Sequence, residues 1–185
     1  TQRGKFDDGS FRLTIPNLEI RKIFTEQIEE WFQDEVRRDT SQLEEFCAAF
    51  MGADAESIES YLNMYLQKTI SIRDTSVQKG KKESFYHGIL LGLLSYREDW
   101  DINSNAESGQ GFSDILVEIE EKQIGIVIEI KYSHNGNLDF SCAEALKQIK
   151  AKDYVSRLKL DGMTTILKYG IACWKKKCKV QLDDK

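Results

Sequence analysis

Asp114, Glu129 and Lys131 are the residues whose types and spacing point to chemistry. They lie within the run Phe112–Lys131 (F-S-D-I-L-V-E-I-E-E-K-Q-I-G-I-V-I-E-I-K), where aliphatic side chains recur with the period of two of a β-strand. Folded as a hairpin with Glu121-Lys122 at its tip, the run sets Ile119 against Ile124, Val117 against Ile126 and Ile115 against Ile128. One face then collects Ile115, Val117, Ile119, Ile124, Ile126, Ile128 and Ile130 and must be core. A one-residue slip would destroy that match, although Glu-Lys is not a favoured two-residue turn, so the loop can shift the pairing by an even number. The opposite face sets Asp114 against Glu129, with Cβ atoms about 4.5–5.5 Å apart, and adds Lys131 two residues on. Two carboxylates that close repel unless something positive lies between them. A hard divalent cation answers this need: Mg²⁺ takes carboxylate oxygens at about 2.0–2.1 Å and keeps several waters. Lys131 would orient or help deprotonate such a water and stabilise charge on a phosphate. The spacing alone also fits a half-exposed sheet face with a Glu–Lys surface pair, and both readings stay open at this point.

The elements that must position these residues follow from periodicity and punctuation. Pro16-Asn17 precedes helical spacing through Leu18, Ile23, Phe24, Ile28 and Phe32. Ser41-x-x-Glu44 is a capping-box pattern ahead of Phe46 and Phe50, Gly52 ends that helix, and Asp54 caps the next through Ile58, Leu62 and Leu66. A polar stretch, residues 73–80, leads to a helix over about 81–96 with Phe85, Ile89, Leu90, Leu93 and Leu94 inward. A short strand is expected around 100–103, turn composition at 105–111, and the two hairpin strands at 112–120 and 123–132. Ser141-x-x-Glu144 predicts a long helix to about Leu160, with Leu146, Ile149 and Leu158 inward and Gln148 and Lys152 on one face. Strands over 164–174 and 178–182 complete an α/β arrangement with a mixed sheet.

Length and composition bound the function classes. The chain has 185 residues, 41% hydrophobic, enough for a packed core. Its longest apolar runs, 89–94 and 124–128, fall far short of the ~20 residues that span a bilayer, so no membrane segment is expected. Cys47, Cys142, Cys173 and Cys178 form no CxxC pair, and His87 and His134 are the only histidines. A zinc site or disulfide framework is therefore not expected, and reduced thiols in a cytoplasmic protein are. Residues 1–130 carry 14 Lys and Arg against 25 Asp and Glu, whereas residues 131–185 carry 12 against 6. A basic end of this kind suits a polyanion or an ordinary lysine-rich surface. Lys175-Lys176-Lys177 reads equally as a phosphate-tracking patch or a solvated turn. His87 reads first as a packing histidine, Glu107 as a turn residue, and the three tryptophans as core.

Asp114, 14 intervening residues, then Glu129-Ile130-Lys131 resembles the Asp…Glu-x-Lys signature of the PD-(D/E)XK nuclease superfamily. Glu83-Ser84-Phe85-Tyr86-His87-Gly88, Glu107-Ser108-Gly109-Gln110-Gly111 and Ala143–Tyr154 are similar to a bacterial branch whose nuclease-like domain lies C-terminal to an AAA-ATPase-like domain. The resemblance implies a restriction-endonuclease-like core, α-β-β-β-α-β with a mixed sheet flanked by helices. It implies a helical linker subdomain over 1–75 joined to a nuclease-like domain over 76–185. The absent initiator Met fits a C-terminal piece of a longer ATPase. The implied activity is phosphodiester hydrolysis with Mg²⁺ or Mn²⁺. Asp114 and Glu129 match the metal ligands, Glu83 an assisting acid and Ile130 a carbonyl ligand, while Lys131 matches the catalytic lysine and Gln148 a supporting helix residue. The implied partners are nucleic acid, DNA ahead of RNA, and an ATPase domain in the same chain; a homo-oligomer stays open. Relatives commonly place Arg where Phe112 stands, which removes a phosphate contact but no ligand. A catalytically silent module that binds nucleic acid or protein and regulates an attached ATPase is the alternative.

Overall fold

The computed structural model describes residues 4–5, 11–12, 40–69, 82–104, 114–152 and 154–183. The expected helix after Pro16, the polar stretch at 73–80, the turn at 105–111 and the side chain of Asp114 lie outside the described residues. Two short strands, β1 (Gly4–Lys5) and β2 (Phe11–Arg12), pair with each other. Helices α1 (Thr40–Met51), α2 (Ala55–Thr69) and α3 (Lys82–Leu94) follow, then β3 (Asp101–Ser104), β4 (Asp114–Ile119) and β5 (Ile124–Tyr132). Helices α4 (Leu138–Ala151) and α5 (Tyr154–Leu160) lead to β6 (Thr165–Trp174) and β7 (Lys177–Leu182). The main sheet runs β3-β4-β5-β6-β7, with β5 and β6 parallel and every other neighbour antiparallel. This is the expected α/β mixed sheet, in the order α-β-β-β-α-β extended by α5 and β7.

The hairpin register follows the aliphatic alternation: Ile119 pairs with Ile124, Val117 with Ile126, Ile115 with Ile128 and Asp114 with Glu129. The loop is not a two-residue turn. A single 3-10 turn, Glu120–Lys122, is closed by Gln123 in the left-handed conformation at φ 51°, and this four-residue connection keeps the parity that the sequence demands. Ile115, Val117, Ile126, Ile128 and Ile130 are at most 1% exposed and share one core with Phe46, Phe50, Ile58 and Leu66 of α1 and α2 and Leu90, Leu93 and Leu94 of α3. Burying each such side chain contributes about 1.5–3 kcal/mol. The other face of the sheet is covered too, by α4 and α5, through Leu116, Val127, Ile149, Leu158 and Met163.

Three capping details differ from expectation or sharpen it. Asp54 caps α2, accepting from Ser57 N at 3.0 Å and Ser57 Oγ at 2.6 Å. Ser41 lies inside α1, and Glu44 accepts from Tyr96 Oη rather than closing a capping box. Similarly, α4 begins at Leu138 because Asn137 accepts from Phe140 N at 3.1 Å, while Ser141 sits one turn inside and donates to the Asn137 carbonyl. An Asn just after Gly136, itself at φ 81°, captures the helix start before Ser141 can. The single long helix expected to Leu160 is two helices, α4 closing at Lys152.

Edge strand β7 is covered by α2 in an unusual way. Asn63 donates to the Cys178 carbonyl at 3.0 Å and accepts from Cys178 N at 2.9 Å; Glu59 accepts from Val180 N, and Gln67 donates to the Lys176 carbonyl. Residues spaced by four along a helix thus serve the outward backbone groups that a further strand would otherwise pair with.

Candidate active site

Pairing brings the sequence candidates to one end of the sheet. The C-terminal ends of β3, β5 and β6 and the N-terminal end of β4 coincide there, because Ser104 pairs with Ile115, Asp114 with Glu129, and Lys131 with Ala172. Asp114 starts β4 and Glu129 lies directly across from it, on the sheet face that looks toward α4. That face is set by Gly170, the β6 partner of Glu129: a Cβ at Gly170 would stand 2.7 Å from the Cys142 carbonyl and 2.9 Å from Leu146 Cγ. Absence of a side chain at Gly170 lets α4 press onto the sheet beside Glu129. A glycine inside a β-rich run is the one sequence signal for this close approach.

Glu129 is 0% exposed, which overturns the half-exposed surface-pair reading. The ammonium of Lys131 lies 2.8 Å from Glu129 Oε1, but its approach lacks hydrogen-bond geometry. Neither carboxylate oxygen therefore has an oriented donor among the described residues. Burying a carboxylate costs several kcal/mol unless it is compensated, and among the described residues one ammonium beside one oxygen leaves the other without a donor. An acceptor-only group held dry opposite a second acid suits a hard cation. Among the described residues no group of three or more His, Cys, Asp or Glu side chains could hold a metal; the side chain of Asp114 is not among them.

The supporting candidates are placed as follows. Glu83, in the first turn of α3, accepts from Tyr132 N at 3.2 Å, so it meets β5 one residue past Lys131. Ile130 follows the last β4–β5 pair and its side chain is in the core. Gln148 is half-buried on α4, flanking the stripe of Cys142, Ala145 and Ile149 that packs onto the sheet. His87 is buried, with Nε2 3.3 Å from Ser104 Oγ at the end of β3, as a packed histidine would be. Glu107, Gly109, Gly111 and Phe112 lie outside the described residues. The Lys175–Lys177 turn is partly committed: the Lys176 ammonium donates to the Gln67 carbonyl at 2.9 Å.

Cysteine chemistry is not part of the site. All four cysteines are buried and free. Burial pushes the thiols of Cys47 and Cys142 up to about 12 and that of Cys173 well above its ordinary value, so they stay protonated and weakly nucleophilic. No helix among the described residues is long and apolar enough to cross a membrane.

A family model described as the PD-(D/E)XK nuclease superfamily matches residues 81–182. Neither the curated proteins nor the solved structures give a match. The matched span runs from α3 through β7 and contains the opposed Asp114 and Glu129, so the chain belongs to the PD-(D/E)XK nuclease superfamily.

Proposed function

We propose that the protein is a metal-dependent nuclease that hydrolyses phosphodiester bonds of nucleic acid, DNA in preference to RNA, and that it is the C-terminal part of a larger, ATPase-containing cytoplasmic protein of bacterial type. The observation that carries the catalytic reading is the fully buried Glu129 carboxylate, opposite Asp114 in register and without an oriented hydrogen bond among the described residues. Asp114 and Glu129 would hold Mg²⁺ or Mn²⁺, with the Ile130 carbonyl and Glu83 assisting. Such an ion supplies Lewis acidity and a water of lowered pKa. Lys131, 22% exposed and beside Glu129, would orient the attacking water and steady charge on the phosphate. Gln148 would support the site from α4. The ATPase attachment rests on the sequence resemblance alone.

The test is Mg²⁺- or Mn²⁺-dependent cleavage of DNA and RNA. Lys131→Ala and Glu129→Gln are each expected to lower the rate by about 10²–10⁴-fold, the usual worth of a positioned proton-transfer or charge-stabilising group. Cleavage that persists in both variants overturns the assignment. A folded wild type that binds nucleic acid but cleaves nothing with either metal favours the silent regulatory module.

A further inference from the structure

Two lysines outside the proposed catalytic set stand at the end of the sheet that carries Glu129 and Lys131, where β5 and β6 finish, and both ammonium groups lie over aromatic rings. The Lys82 ammonium lies 4.5 Å from the Tyr132 ring centroid and 3.2 Å from its hydroxyl. That of Lys175 lies 4.4 Å from the Trp174 ring. The two are linked through a tyrosine pair: Tyr86 stacks on Tyr132 at 6.0 Å, and its hydroxyl donates to the Lys175 carbonyl at 2.5 Å. Trp174 is seated in turn against Gly136, where a Cβ would come within 3.4 Å of the indole.

Neither lysine suits its local backbone. Lys82 opens α3, where the helix dipole disfavours a cation. Lys175 sits in the β6–β7 turn at φ 54°, a left-handed position that favours Gly or Asn. Residues that break a local rule while tertiary contacts hold them in place are candidates for a functional role. Neighbouring Lys176 breaks no such rule of charge placement, since its ammonium caps the carbonyl of Gln67 near the end of α2. The chain from residue 131 onward is also the basic part of the sequence.

We propose that Lys82 and Lys175 form a phosphate-contacting rim that seats the nucleic-acid backbone on either side of the proposed catalytic centre. The proposal rests on the nucleic-acid reading of the site but not on cleavage. Aromatic rings hold the two ammonium groups in place, so little side-chain freedom is lost when phosphates arrive.

The test is fluorescence anisotropy of fluorescein-labelled DNA, single-stranded and duplex, titrated with the intact chain in EDTA over a range of salt. Lys82→Met with Lys175→Gly is expected to weaken binding about tenfold and to reduce the slope of log affinity against log salt by between about one and two, as losing two phosphate contacts does. Lys175→Gly relieves the left-handed strain, so its thermal midpoint should equal or exceed the wild type, which separates lost binding from lost folding. Lys176→Ala should leave the salt slope unchanged. An unaltered slope in the double variant, an equal loss in Lys176→Ala, or no DNA binding by the wild type overturns the rim. Rim-dependent binding without cleavage in Mg²⁺ or Mn²⁺ sinks the nuclease reading and leaves the rim standing. Metal-dependent cleavage with rim variants that bind as wild type does the reverse.

Discussion

The two faces of the β4–β5 hairpin share one backbone and do opposite things. Beneath α1, α2 and α3, the alternating positions from Ile115 to Ile130 are aliphatic without exception. Beneath α4 and α5, the intervening positions are apolar only in the middle, at Leu116 and Val127, and end in Asp114, Glu129 and Lys131. The first face stabilises the fold by area. The second gives up some of that stability to keep a carboxylate dry. The difference marks the face on which the proposed site stands: an acid is buried there at a cost to the fold.

The largest expected effect lies on the aliphatic face. Ile128→Ala should cost about 4 kcal/mol in denaturant unfolding, because Ile128 is 0% exposed at the centre of the sheet and its loss leaves a cavity. A cost below about 1 kcal/mol would mean that this face is not the structural one.

An intermediate effect compares a compensated acid with Glu129. Asp183 lies just past β7, where Lys168 and Lys150 reach it at 2.5 and 3.0 Å. Burial alone would raise its carboxyl, yet the hydrogen bonds from Lys168 and Lys150 outweigh this and hold it below its ordinary value. A depressed folded value means that the stabilisation is present above the unfolded pKa, near 3.9, and fades as pH falls through the folded one. Asp183→Asn should therefore cost about 2 kcal/mol at neutral pH. The gap between variant and wild type should close on acidification below about pH 4. A gap that stays constant into strong acid would show that the ion pairs are not its source.

The smallest effect has the opposite sign. Glu129→Gln should leave stability unchanged or raise it by about 1 kcal/mol in metal-free buffer, since it replaces a buried acid that lacks a hydrogen-bond donor among the described residues with a neutral amide. Destabilisation on the scale of Ile128→Ala would erase the distinction between the faces.

Strict alternation of Ile and Val made the hairpin legible in sequence, down to Asp114 opposite Glu129, because a one-residue slip would have turned one strand's whole aliphatic set to the wrong side. Burial of Glu129 was not legible: an alternating charged position looks the same whether or not a helix covers it. That cover depends on Gly170, a partner forty-one residues away in sequence. The start of α4 was misplaced for a local reason, since Asn137 and Ser141 are both good caps and only the turn at Gly136 decides between them. The α2 ladder on β7 was equally hidden, because Glu59, Asn63 and Gln67 read as an ordinary polar helix face until an edge strand lies beside them.

The central claim is that Asp114 and Glu129 share one cation. Diffraction at the manganese edge from crystals soaked in Mn²⁺ tests it most directly. An anomalous peak is expected between the two carboxylates, about 2.0–2.2 Å from an oxygen of each, and no peak there in Glu129→Gln. A wild-type crystal with no peak at this position, or with one that touches neither acid, would contradict it.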